Sequence, residues 1–379
     1  MPSAPLNVAH TLNRMLAALF IAAALGLPAQ ITHADVFEVQ NIGVDVKAAT
    51  ASDARKQALA EAERRAFYAL INKLTLSEDQ ERIPEFSDNE IAPYVRDFSV
   101  AREKASSVRY IAKLNYRFKP DAIRKLLRDY NVPFAETPSK PMVVLPVYEV
   151  GANLVLWDEP NPWRQAWSGR DIPTGLVPLI VPIGDLSDIS TVGVSEAMAG
   201  DIKRLGLIAD RYGAAGSIVA HNNLTIDPAT GRQMATVTLS RPSDPIPVES
   251  RTYSYVQREQ ETLEAMMPRV TEATVRRIED LWKQRNLITS QAGTGVMAVT
   301  VPITGLKDWL QIRNQLAQVN VIRQAEIVLM SRDQVRVNIH FVGEADHLST
   351  ALEQANLSML QEGGEWIIMP IGVFQPPKT

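Results

Sequence analysis

Between Arg109 and Phe118 the chain alternates without a fault: Tyr110, Ala112, Leu114, Tyr116 and Phe118 are separated by residues that include Arg109, Lys113, Asn115 and Arg117. A period of two is the mark of a strand with one buried face, and a buried face needs a cover. The preceding sequence supplies one. Ala51, Ala54, Ala58, Ala62, Ala66, Leu70 and Leu74 recur at helical spacing with charges between them, and small alanines let such a helix lie close to a sheet. Phe37–Val46 reads as a further strand, Phe98–Ser106 as the partner of the alternating one, and Pro120-Asp121 opens a short helix. The order β-α-β-β-α defines a first unit over residues 35–137.

At 379 residues the chain exceeds what one small core organises, because domains cluster near about 100–150 residues. Hydrophobic residues at 46% and charged residues at 22% provide apolar surface to bury and argue against disorder. The run Val132-Pro-Phe-Ala-Glu-Thr-Pro-Ser-Lys-Pro141 reads as a stiff linker, since proline fixes φ and removes donors. Residues 138–290 beyond it read as a mixed α/β unit. Its elements are strand Met142–Val147, helix Val194–Leu207, a hairpin around Asp227-Pro-Ala-Thr-Gly231, and a closing helix Glu261–Gln284 that Pro268 kinks or begins. Residues 295–375 read as βαββαβ, ending on strand Glu365–Met369, which is the split-βαβ order of ferredoxin-like domains. The expected fold class is α+β or mixed α/β and multi-domain, with small split-βαβ modules flanking a central α/β domain.

Residues 1–34 are of another kind. Arg14 precedes the apolar run Met15–Leu27, followed by Pro28 and Thr32-His33-Ala34. The run is too short for the roughly 20 residues that span a bilayer, and small residues precede the expected cleavage after Ala34. That is the layout of a secretory signal peptide, and it implies a periplasmic protein with no membrane span once the signal is removed.

The formal net charge is −4 and no basic run stands out, which excludes nucleic acid as a partner. There are no cysteines; disulfides, thiolate nucleophiles and Cys-ligated zinc are excluded together. His340 and His347, with Glu344 or Asp346, lack a third converging ligand by spacing, so no metal site is expected. Nucleophile-elbow, Ser-x-x-Lys, zincin and P-loop patterns do not occur. No catalytic residues or cofactor are expected. Two binding candidates stand out. Trp157, Trp163 and Trp167 gather three of six tryptophans in one proline-bearing segment, where indoles either stack on sugars and partners or pin the loop to its own domain. Asp185 and Asp188 follow an apolar strand, where they either face a ligand or cap a helix.

Several segments together resemble a proteobacterial family known as a domain of unknown function, number two-thousand-and-sixty-six in its series. They are Ala51–Ala60 with Ala66–Leu74, Ile91–Val95, Arg109–Phe118, Leu126-Leu127 and Pro141–Pro146. The resemblance implies an exported envelope protein and carries over no catalytic residue. The strand Val143–Pro146 and the run Arg211–Val219 also resemble the N-terminal domain of the periplasmic translocation protein of the Tol system, although neither a lipobox nor a propeller repeat accompanies them. The functional expectation is a non-enzymatic adaptor or assembly factor that binds another envelope protein. A peptidoglycan- or glycan-binding module using Trp157–Trp167 is the alternative, and a hydrolase using Asp185, Asp188 or Glu159 the third.

Overall fold

The clean alternation becomes strand β3 (Arg109–Phe118), centred between β1 (Glu38–Lys47) and β2 (Val95–Ala105) in an antiparallel sheet of order β1-β3-β2. Tyr110, Ala112, Leu114, Tyr116 and Phe118 are all buried. Helix α1 (Ala51–Leu74) covers them with Ala54, Ala58, Ala62, Ala66, Phe67 and Leu70, and the Thr50 hydroxyl caps its start by accepting from Asp53 N at 3.1 Å. After α2 (Asp88–Ile91), helix α3 (Pro120–Asp129) begins on its proline and buries Ile123, Leu126 and Leu127. This computed structural model describes residues 35–170, 175–241, 249–289 and 293–372; the expected signal segment and Ala34 lie outside them. The described residues from Val36 onward gather as one compact unit.

The proline-rich run behaves otherwise than a linker. Val132, Phe134, Ala135, Glu136 and Thr137 are buried. Phe134 exchanges backbone hydrogen bonds with Ile288 (3.1 and 2.7 Å), and Ala135 N donates to Leu74 O at 2.8 Å. Apolar side chains between the prolines give the extended chain something to bury, so it becomes a strap stitched into its neighbours.

The central sheet contains β4 (Met142–Val150), β5 (Asn153–Val155), β6 (Leu179–Ile180), β7 (Gly216–Ile226), β8 (Gln233–Arg241) and β9 (Glu249–Val256), in order β5-β4-β7-β8-β9 with β6 also on β4. β4 and β7 are parallel, and β4 is buried on both sides, as a near-continuous apolar run should be. Val144, Ile218 and Val237 face α4 (Pro162–Ser168) and the long α8 (Leu263–Arg285), which carries Pro268 within it. Val143, Leu145 and Val219 face the other way, toward α5 (Leu186–Thr191), α6 (Val194–Ala199) and α7 (Ile202–Arg211). The single helix expected over Val194–Leu207 is thus two. Gly200 ends α6 at φ 68°, the left-handed C-cap conformation, and Asp201 caps α7 by accepting from Arg204 N at 3.0 Å.

The last sheet has one strand more than the sequence suggests. Its strands are β10 (Thr294–Pro302), β11 (Ile322–Met330), β12 (Gln334–Val342), β13 (Leu357–Glu362) and β14 (Glu365–Pro370), in order β11-β12-β10-β14-β13, with α9 (Leu306–Leu316) and α10 (Ala345–Gln354) packed on one face. Gly363 and Gly364, at φ 59° and 88°, make a two-residue hairpin of the kind that needs positive φ. That hairpin turns the chain back so that β14 lies parallel to β10. The split-βαβ core is therefore kept and extended by one strand. One hydrophobic cluster runs from Phe37 and Leu114 through Phe134 and Ile288 to Val299, Val337 and Ile368, so the first and last sheets share a core while the central sheet keeps its own.

Candidate functional site

The tryptophan segment is folded inward. Asn161 caps α4 by accepting from Arg164 N at 2.9 Å, and Pro162 takes the first helical position. Trp163 and Trp167, one turn apart, pack edge to face at 5.7 Å. They are 0% and 2% exposed, and Trp163 Nε1 donates to Ala220 O at 2.9 Å. Trp157 is partly buried, donates to Val192 O at 2.7 Å and lies under the Arg164 guanidinium at 5.8 Å. A stacking platform needs an open indole face. Trp163 and Trp167 have none, which corrects their candidacy as binding residues: they pin this irregular segment to the central sheet.

Asp185 and Asp188 are brought together and both are spent. Asp185 caps α5 by accepting from Asp188 N at 2.9 Å and pairs with Arg211 Nη2 at 2.6 Å. Asp188, fully buried, accepts from Gly184 N (2.9 Å), Arg211 Nε (2.9 Å) and Tyr212 Oη (2.7 Å). The Tyr212 hydroxyl also accepts from Ile183 N at 3.1 Å, and burial, followed by its bond to Asp188, raises its pKa. Burying a carboxylate is tolerated when donors saturate it. These two aspartates therefore weld the loop before α5 to the end of α7; Asp188 has no open side for a ligand, which corrects its candidacy, while Asp185, half-exposed, is committed to its cap and to Arg211.

A third pairing had no sequence signal. His221 on β7 places Nε2 2.6 Å from Glu149 Oε2 on the neighbouring β4. Thr238 stands opposite His221 in register, and its hydroxyl lies 3.0 Å from that of Thr252 on β9. The two residues are 72 positions apart, so only the parallel pairing of β4 and β7 could reveal them. The other two histidines among the described residues serve locally: His347 Nδ1 is 3.4 Å from Glu344 N at the start of α10, and His340 Nε2 is 3.9 Å from Glu326. Among the described residues no group of three or more His, Asp or Glu side chains is placed to hold a metal ion.

The most open feature is an edge. Among the described residues β11 pairs only with β12, and Ile327, Val328, Leu329 and Met330 are 47%, 58%, 52% and 44% exposed. Because successive side chains of a strand point to opposite faces, this unbroken apolar row places hydrocarbon on both faces, and the register shifts between Ile327 and Leu329. Another long edge, β2, also exposes Phe98 and Val100 but intersperses Arg96, Asp97, Arg102, Glu103 and Lys104. Charges on an edge discourage pairing with another chain, and β11 has none from Ile327 to Met330. Sequence reasoning missed this because a run such as Ile-Val-Leu-Met reads as core.

Residues 38–136 match a family model described as Domain of unknown function (DUF8605). That span coincides with the first sheet, its helices and the start of the strap. No curated protein matches the chain.

Proposed function

We propose that this chain acts in the bacterial envelope as a non-enzymatic adaptor that captures an extended segment of a partner protein on the free edge of β11. The observation that carries this reading is the row Ile327–Met330, exposed and uncharged at an unpaired strand edge. Main-chain hydrogen bonds along such an edge supply affinity, and alternate side chains supply specificity. The signal-like layout of residues 1–34, the absence of cysteine and the resemblance to exported proteobacterial proteins and to the Tol translocation protein support the envelope as its place of action.

In-cell photo-crosslinking from position 328 of the tagged chain tests it, with Lys56, exposed on α1, as the control position. One dominant envelope protein is expected from position 328 and not from position 56, and Leu329→Lys should abolish the adduct. Equal adduct patterns from both positions, or adducts indifferent to Leu329→Lys, would overturn the reading.

A further inference from the structure

A second surface has a different chemistry. Under the C-terminal half of α8, against the first residues of β4 and β7, lies a recess of about 80 Å³. It opens beside a wider cleft of about 410 Å³ that reaches the end of α10 and the start of β13. Ser139, Met142, Arg241 and Trp282 line both, so the two form one groove. Its outer part falls within the range of roughly 300–1,000 Å³ typical of small-molecule sites.

The floor is apolar. Met142, Ile218, Leu239, Ile278 and Trp282 form it, and the Trp282 indole N–H is already committed to Thr137 O at 2.8 Å, which leaves the ring to the groove as hydrocarbon. The recess admits roughly three water-sized groups, at about 30 Å³ each, enough for a short run of methylenes. The rim is cationic. Arg241, Arg251 and Arg285 border the recess, and Lys140 borders the outer cleft. Among the described residues Glu353 is the one acidic residue of either lining. The Lys140 and Arg251 side chains make no hydrogen bond or ion pair among the described residues, whereas Arg241 and Arg285, like Arg211 and Arg124, already interact with other groups. Cations gathered around an apolar floor complement a molecule with one charged end.

We propose that this groove binds a small anionic amphiphile. Its carboxylate or phosphate head pairs with Lys140 or Arg251 at the rim, where Arg241 and Arg285 add positive charge without giving up their own partners, and its alkyl portion lies over Met142 and Trp282 in the recess. The site is distant in kind from the β11 edge and does not depend on the adaptor reading.

Calorimetric titration of the purified chain with decanoate, decyl phosphate, decanol and inorganic phosphate, all below micellar concentrations, tests the proposal. Decanoate or decyl phosphate should bind one to one and at least tenfold more tightly than decanol or inorganic phosphate, and the tighter of the two identifies the head. The substitutions Lys140→Glu, at a half-buried position, and Arg251→Glu, at an exposed one, together should weaken that binding at least tenfold with the melting temperature unchanged, and Ala215→Trp, which fills the outer cleft, should block it. Decanol binding as tightly as decanoate and decyl phosphate removes the role of the rim, and inorganic phosphate doing so removes that of the floor. Affinity unchanged in both variants places any binding elsewhere. Each of these three results overturns the proposal.

Discussion

Glu136 and Glu279 are both buried carboxylates at junctions of the molecule, and the fold neutralises them by different means. Glu136, in the strap, accepts from Arg124 Nε on α3 at 2.8 Å and from Arg323 Nη2 on β11 at 2.7 Å. Its own carbonyl accepts from Asn320 Nδ2 at 2.9 Å. Glu279, on α8, accepts instead from two backbone groups, Leu176 N and Val177 N, each at 3.0 Å. One turn further on, Lys283 Nζ donates to Asn72 O and Thr75 O at the C-terminal end of α1, both at 2.8 Å, where unsatisfied carbonyls attract a cation. The first carboxylate is held by side chains from two distant parts of the sequence, the second by main chain. Burial raises the Glu279 pKa and lowers that of Lys283, in each case against opposing hydrogen bonds or charges. A side-chain clamp is easily broken by one substitution, whereas a main-chain cradle can be disturbed only from the carboxylate or from the space around it.

The largest effect is expected at the side-chain clamp. Arg323→Ala leaves Glu136 with one arginine in a site that excludes water, and breaking a buried pair costs about 3–5 kcal/mol; urea unfolding at neutral pH measures it. A loss below about 1 kcal/mol would mean that Arg124 alone suffices and that the two junctions are alike. Next comes Glu279→Gln. The amide nitrogen would confront an N–H donor, leaving one backbone group unpaired at a cost of about 1–3 kcal/mol. The pH dependence has a definite sign. A carboxyl whose folded pKa lies above its ordinary 4.5 contributes stability that is full below that value and is lost as pH rises through the folded pKa. Wild type should therefore show a falling limb above about pH 4.5, and Glu279→Gln should lack it. Gly175→Ala should have the smallest effect, about 1–2 kcal/mol by overpacking. Its Cβ would lie 2.0 Å from Glu279 Oε1, so the carboxylate must shift within its cradle, and the variant should move the same pH limb.

What the sequence made legible is what is local. The alternation of β3 and the alanine stripe of α1 each carry their own period, and both appear where the pattern puts them. Strand β13 is hidden because Leu357–Glu362 follows helix α10 after only two residues, Ala355 and Asn356, the second in left-handed geometry at φ 61°, with no turn signal beyond Asn itself. The strap was misread for a related reason: prolines dominate its composition, while its burial is decided by Leu74 and Ile288, far away in sequence. The same holds for the candidate sites. Trp157, Trp163, Trp167, Asp185 and Asp188 were conspicuous as residue types, yet Ala220, Arg211 and Tyr212 fix their roles. Likewise, the exposure of Ile327–Met330 follows from the place of β11 at the end of its sheet. Residue type is written locally; accessibility is written by topology.

The position of β14 bears on how the molecule is made. It follows every other strand of its sheet in sequence yet occupies an interior place, between β10 and β13. During vectorial synthesis, β10 therefore waits with one edge bare until the Gly363-Gly364 turn has formed and delivered its neighbour. Unpaired edges of this kind are where newly made chains associate wrongly. The two glycines thus act as a timer on nascent-chain safety, and a residue that slows their turn would reveal itself as lost yield of folded protein.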